Sequence, residues 1–336
     1  MYQARRRSLQ TLLWLSALSA GAAFAAQPAP PSSVAAESED MFRIGRVLFD
    51  HLAPADIKAK YDFPTKERWD AFVAKFQRAL EGDSLKDLAD CAAEGRAALN
   101  ALRMVPGYSD LADWLEQRID AIEGAKQALS WPKPKPAPKP APAPPPKPGQ
   151  PAPPPPPVVT TTEPVPHYDL WMARVRSRPA PANAATLMPK LRAMFVAEGV
   201  PPELAWLAEA ESSLNPVARS PVGAKGLFQF MPETAKSMGL STFMPDDRTD
   251  PERSARAAAR YLKMLHGRFG NWALVLAAYN AGEGRVGRTL TKLGTKSYTA
   301  IADSLPAETR MYVPKVFALI AVRAAVSPHQ VAPPKR

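Results

Sequence analysis

The sequence predicts a mainly α protein of two folded parts joined by a stiff spacer. Three observations lead there. Apolar residues recur at helical spacing on both sides of the spacer, no stretch shows the period-two alternation of a half-buried strand, and 18 prolines crowd residues 132–166. The expected organisation is a signal segment at 1–26, a small helical domain at 37–130, a proline-rich linker at 131–166 and a larger α-helical domain at 167–330.

The chain opens like a secretory signal. Arg5, Arg6 and Arg7 make a basic start, Leu12 to Leu18 is a short apolar run, and Ala23-Phe24-Ala25 fits a small-x-small cleavage pattern. The run is short for a membrane span. The expectation is an exported chain starting near Ala26 or Gln27, in the periplasm or cell envelope; an uncleaved anchor is the alternative.

In the N-terminal domain, Phe72, Val73, Phe76 and Leu80 form one apolar stripe behind Thr65, Lys66 and Glu67. Leu85, Leu88, Ala92, Ala98, Leu99 and Leu102 suggest a second helix, and Leu111, Trp114, Leu115, Ile119 and Ile122 a third. Nothing in this domain points to chemistry. A spacing or docking role is the default, with cell-envelope proteins as possible partners. The linker cannot form a packed core and favours polyproline II, which at ~3.1 Å per residue reaches on the order of 100 Å. On that reading the C-terminal part should act without residues 27–160.

In the C-terminal part, residues 185–200 predict an amphipathic helix ending at Gly199. Residues 201–212 read as one further helix with Pro201 and Pro202 in its first turn. Leu204, Leu207, Ala208 and Glu211 fall on one core-facing stripe, so Glu211 points where an apolar residue would normally go. Two readings are open. Glu211 is either a hydrogen-bonded core or cleft-edge carboxylate, or an acid whose burial raises its pKa until it holds a proton near neutrality. Glu209, about 200° around the helix, should face water. Asp250-Pro251-Glu252 opens a helix that stops near Gly267 or Gly270, and Asn271 caps the next, Trp272 to about Ala281. A last helix is expected over about Lys315 to Val326. Pro314 should break any incoming helix and aim Tyr312 off the regular element.

Composition excludes several classes. Cys91 is the single cysteine, so no intrachain disulfide can form, and it reads as a small buried apolar residue. The four histidines lack ligand spacing, and no metal site is expected. The net charge of +11 is uneven: residues 37–130 carry 13 basic and 18 acidic groups, residues 167–336 carry 23 and 13. No nucleic-acid motif accompanies the basic part, and an anionic cell envelope suits an exported chain better.

Four segments converge on one chemistry: Glu211-Ser212-Ser213-Leu214-Asn215-Pro216, Gly223 to Pro232 (GAKGLFQFMP), Ala277 to Gly284 (AAYNAGEG) and Leu305 to Val313 (LPAETRMYV). Their order and sequence resemble the lytic transglycosylases of the lysozyme-like superfamily, the SLT-domain proteins of glycoside hydrolase family 23. The likeness is closest to the membrane-bound type D branch and to the catalytic domain of the soluble type. It covers roughly residues 185–326. No wall-binding repeat is found, unlike the type D pattern.

The resemblance implies a lysozyme-like α-helical catalytic domain that acts on peptidoglycan glycan strands without a cofactor. Glu211 would protonate the glycosidic oxygen between N-acetylmuramic acid and N-acetylglucosamine, then deprotonate the muramic C6 hydroxyl as it closes a 1,6-anhydro ring. The family lacks the second carboxylate that ordinary glycosidases use. The resemblance sets Gln229, Met231, Tyr279 and Asn280 along the glycan cleft and Tyr312 beside the acid. Ser212 can bond the sugar or the acid. Packing is the competing role for Met231 and Tyr312, and a helix cap for Tyr279 and Asn280. Phe228 and Phe230 favour the core, and Glu308 with Arg310 reads as a fold-stabilising pair. The rival functions are a hydrolytic muramidase on the same fold, for which no water-activating carboxylate stands out, and a non-catalytic wall-binding protein.

Overall fold

The computed structural model describes residues 65–103, 109–132, 163–220 and 223–335, with a few isolated helical positions before residue 60. The signal segment and nearly all of the proline-rich linker lie outside the described residues. The described chain is mainly α, and its β pairing is limited to isolated bridges joining Arg219, Lys225 and Phe230. No helix among these residues is long and apolar enough to cross a membrane.

The N-terminal unit comprises α1 (Lys66–Glu81), α2 (Leu85–Ala89), α3 (Ala92–Arg103) and α4 (Ser109–Ser130). Thr65 caps α1 by accepting from the Arg68 amide, and Ser84 caps α2 by accepting from Asp87. The single helix expected over 85–102 is two helices, broken at Asp90 and Cys91. Cys91 is fully buried. The side chains of Phe72, Val73, Phe76, Leu102 and Leu111 lie outside the described set.

The C-terminal part contains α5 (Tyr168–Arg176), α6 (Ala184–Ala197), a 3-10 segment (Pro202–Trp206), α7 (Leu207–Ser212) and α8 (Pro232–Ser237). These are followed by α9 (Pro251–Phe269), α10 (Trp272–Ala281), α11 (Glu283–Leu293), α12 (Tyr298–Ala302) and α13 (Ala307–Ala324). α10 is apolar on every side, with all seven residues from Trp272 to Ala278 buried. That pattern marks a central helix. It packs against both α9 and α13. Asp250 and Asn271 cap α9 and α10 as expected, and Gly270 ends α9 at φ +69°.

Two local expectations are corrected. The segment 201–212 is not one helix: its prolines start a 3-10 turn that passes into α7. Pro314 does not break the last helix but lies inside α13, with Tyr312 on the same helix. An interior proline costs about 3 kcal/mol. Burial of Met311, Val313, Val316, Phe317 and Ile320 on α13, each 0–2% exposed, offsets it.

The two parts are not held apart. Leu80, Leu88, Ile122 and Ala125 share one hydrophobic cluster with Leu170, Trp171 and Val175 of α5. A Cβ on Gly124 would stand 2.7 Å from the Trp171 ring, so glycine lets α4 and α5 approach this closely. Asp120 of α4 is the hub of a mostly buried ion network, 2.7 Å from Arg174, 2.5 Å from Arg178 and 3.0 Å from Lys315 of α13. The Gly82 carbonyl accepts from the Ala307 amide at the start of α13, and the Asp83 carbonyl accepts from Arg310. The acidic and basic parts therefore form one body. The expectation that the C-terminal part acts without residues 27–160 does not follow from this packing.

Candidate active site

Glu211 sits in the last turn of α7, where the chain reverses sharply. Ser213 and Leu214 take successive left-handed conformations, φ +52° and +61°. Their amides return to the carbonyls of Glu209 and Ala208. Leu214 is wholly buried and anchors the turn. The two flanking side chains are used structurally. The single Ser212 hydroxyl proton is shared between the carbonyls of Ala208 (3.0 Å) and Leu227 (2.9 Å), and the residue is 2% exposed, so it ties α7 to the glycine loop rather than facing a sugar. Glu209 does not face water either: it accepts two bonds from Arg323, at 2.8 and 3.0 Å.

The Tyr312 hydroxyl donates to Oε1 of Glu211 in a short bond. Burial pushes the Glu211 carboxyl up to about 7, against the opposing pull of that bond. Arg118 and Lys315 pull it down and Glu308 pushes it up. Tyr312 is itself raised well above a normal phenol, by burial first and by the neighbouring Glu211 charge. The pair therefore offers a proton-holding carboxyl and a tyrosine that stays a donor at neutral pH.

The glycine loop forms a frame beside the acid. Gly226 has φ +77°, and a Cβ there would fall 1.8 Å from the Arg248 carbonyl oxygen, so no other residue fits. Arg248, 4% exposed, donates to the carbonyls of Gly223 and Phe230 and forks onto Asp246, which Lys225 also contacts at 2.8 Å. Phe228 and Phe230 are core residues, as expected. Gln229 lies in the left-handed region at φ +47°, and its amide donates to the Gly226 carbonyl. It is partly buried, as is Met231, the residue before α8. The Tyr279 hydroxyl donates to the Phe228 carbonyl (2.8 Å), which places α10 against this loop.

A cavity of about 30 Å³ opens at the acid. Glu211, Asn280, Glu308 and Tyr312 line it, together with Gln117 and Arg118 of α4. Asn280 accepts from the Thr309 hydroxyl at 2.7 Å. The sequence-expected residues Glu211, Asn280 and Tyr312 thus meet at one cavity, while Gln229, Met231 and Tyr279 are held at the adjoining loop. Glu308 and Arg310 do not pair. Arg310 turns to Asp303, 2.5 Å away, and Glu308, 8% exposed, faces Arg118 at 3.7 Å. Glu308 thus lines the same cavity as Glu211 instead of pairing with Arg310.

Arg118 and Gln117 were not legible as site residues from the motifs. A signal existed all the same. Arg118 is three residues after Leu115 and four before Ile122, a cation on a buried stripe, just as Glu211 is an anion on one.

The transglycosylase SLT domain model matches residues 193–301. The membrane-bound lytic murein transglycosylase D of Escherichia coli (strain K12) is 40% identical over 124 residues, covering 36% of this chain and 27% of that one. The soluble lytic murein transglycosylase of Salmonella typhimurium (strain LT2) is 40% identical over 120 residues, covering 33% of this chain and 19% of that one. A protein of Alteromonas sp. (strain M-1), described as a candidate tributyltin chloride resistance protein, is 34% identical over 146 residues, covering 43% of this chain and 67% of that one. The matched region spans only 27% and 19% of the length of the two murein transglycosylases.

Proposed function

Residues 193–301 belong to the transglycosylase SLT domain family, and we propose that the chain is a lytic transglycosylase that cleaves peptidoglycan glycan strands without water, leaving 1,6-anhydro-N-acetylmuramic acid ends. The observation that carries the reading is the Glu211–Tyr312 pair, a partly buried carboxyl pushed up to about 7 and held by a tyrosine hydroxyl. Protonated Glu211 gives its proton to the bridging oxygen as the bond from muramic C1 breaks. The resulting carboxylate takes the proton of the muramic C6 hydroxyl, whose oxygen bonds to C1, and Glu211 ends as it began. Tyr312 steadies the carboxylate between the two transfers. Asn280, Gln229, Met231 and Tyr279 are assigned to the glycan-binding face. Ser212 is assigned to the frame. The site of action is the cell envelope, after export on the N-terminal signal.

One observation favours a second reading. Glu308 shares the cavity with Glu211, and a second carboxylate can activate water in a hydrolytic muramidase. Mass spectrometry of the sugar ends formed from purified peptidoglycan separates the two, with Glu211→Gln as control. Anhydro ends, one water lighter, support the transglycosylase. Reducing ends transfer the reaction to hydrolysis with Glu308 as base. No new ends from the wild-type protein would reject both and leave a wall-binding role.

A further inference from the structure

We propose that Arg118, on α4 of the N-terminal unit, is a substrate-binding residue whose guanidinium donates to an oxygen acceptor on a sugar substituent beside the scissile bond. The inference rests on the glycan-cleaving reading above and adds a contact from outside the matched domain.

The cavity at Glu211 measures about 30 Å³. That is room for a water or a small acceptor group, against the ~300–1,000 Å³ of a pocket that engulfs a drug-sized ligand. One small substituent of a glycan fits this space beside the acid. Arg118 lines this cavity. Its Nε–H is sequestered from solvent and has no acceptor among the described residues. Its nearest carboxylate, Glu308, is 3.7 Å away, close enough for attraction and too far for a hydrogen bond. The sequestered Nε–H is left to Glu308, while the side chain as a whole is 21% exposed, so the rest of the guanidinium is open to a carbonyl or carboxylate oxygen arriving with the substrate.

The guanidinium is also held in place before any ligand arrives. It lies 4.8 Å over the Trp114 ring. α4 is locked to the C-terminal part by the Asp120 network and by the close Gly124–Trp171 contact. A spacer or dock has no need of a cation fixed at the acid. A neutral sugar backbone presents three kinds of acceptor here: the acetamido carbonyl, a free lactyl carboxylate, and the lactyl amide that carries a stem peptide. All three share the chemistry of a planar oxygen acceptor.

The test measures binding to full-length Glu211→Gln protein with and without Arg118→Gln or Arg118→Lys. The probes are chitooligosaccharide, amidase-stripped glycan strands and peptide-bearing strands. Arg118→Gln is expected to weaken binding about ten- to a hundredfold, measured below the melting temperature of each variant, with Arg118→Lys intermediate. Equal weakening on all probes assigns the acetamido carbonyl. Weakening on both muramoyl probes but not chitooligosaccharide assigns the lactyl group, and weakening on peptide-bearing strands alone assigns its amide. Unchanged affinity for all three overturns the proposal. So does a shifted pH profile of cleavage in Arg118→Gln with unchanged affinity, which would make Arg118 a partner of Glu211 rather than of substrate. If the wild-type protein cleaves nothing yet Arg118→Gln still weakens binding, the reaction assigned above fails and the contact stands.

Discussion

The hydroxyl of Tyr312 donates to Oε1 of Glu211 although 101 positions separate them in the chain. Two helices meet to make this bond: α7, which ends immediately beyond the glutamate, and α13, which runs through a proline two residues after the tyrosine. The bond favours the ionised carboxylate and burial favours the protonated one. Burial is the larger effect, and the result is a carboxyl raised to about 7.

Removing the tyrosine hydroxyl should act through that balance. Tyr312→Phe takes away a donor to the carboxylate, so the Glu211 pKa moves further up. The basic limb of the pH–rate profile should shift to higher pH, while the rate on the acidic side falls about tenfold or more. A profile with an unmoved basic limb would separate Tyr312 from the acid's titration.

Glu211→Gln should lower cleavage by about 10²–10⁴-fold and also change stability with a definite sign. The folded carboxyl titrates near 7 and the unfolded one near 4.5. The folded state therefore holds a proton that the unfolded state releases, and stability is lost as pH rises from about 4.5 through 7. Glutamine removes that loss. Denaturant melts should match at pH 4 and favour Glu211→Gln by about 1–3 kcal/mol at pH 8. Equal stability at both pH values would contradict the raised pKa.

Much of this site could be read in the sequence because it obeys helical spacing. Glu211 stood out on the stripe of Leu204, Leu207 and Ala208, and the caps at Asp250 and Asn271 announced α9 and α10. What could not be read depended on tertiary packing. Pro314 looks like a helix breaker until the burial of Val313, Val316 and Phe317 is known. Ser212 looks like a sugar ligand until Leu227 is seen to accept its proton. The proline-rich segment suggested two independent parts, yet no local pattern reveals that Gly124 lies against Trp171. Arg118 reached the site by that same long-range packing.

The glycine loop offers a test of backbone constraint. Gly226→Ala places a Cβ 1.8 Å from the Arg248 carbonyl at a left-handed φ. Strain and forced displacement should cost at least about 2 kcal/mol. The buried Arg248–Asp246 fork should be disturbed with it. Gly239→Ala is the control for conformation alone, since its φ is +84° with nothing within 4 Å of the added carbon. Thermal melts should place Gly226→Ala clearly below Gly239→Ala. Equal losses would mean that the close approach to Arg248 has little energetic weight.

Asp120 tests whether the N-terminal unit is structurally part of the enzyme. Its carboxylate is 14% exposed and neutralises Arg174, Arg178 and Lys315. Burial alone would raise its pKa, but those three cations hold it far below the usual carboxylate range. Asp120→Ala leaves three neighbouring cations with their shared anion gone, a change expected to cost about 3–5 kcal/mol at pH 7. Because the folded pKa is depressed, Asp120's contribution is present above about pH 4 and falls away as pH drops further. The gap between wild type and Asp120→Asn should therefore narrow from pH 7 to pH 3. The exposed pair Lys86–Asp90, also on the N-terminal unit, is the control, and Asp90→Asn should leave the melt unchanged. Loss of activity in Asp120→Ala below its melting temperature would follow from α4 carrying Arg118 away from the cavity. Full activity in a chain lacking residues 27–132 would instead show that the acid works without this wall.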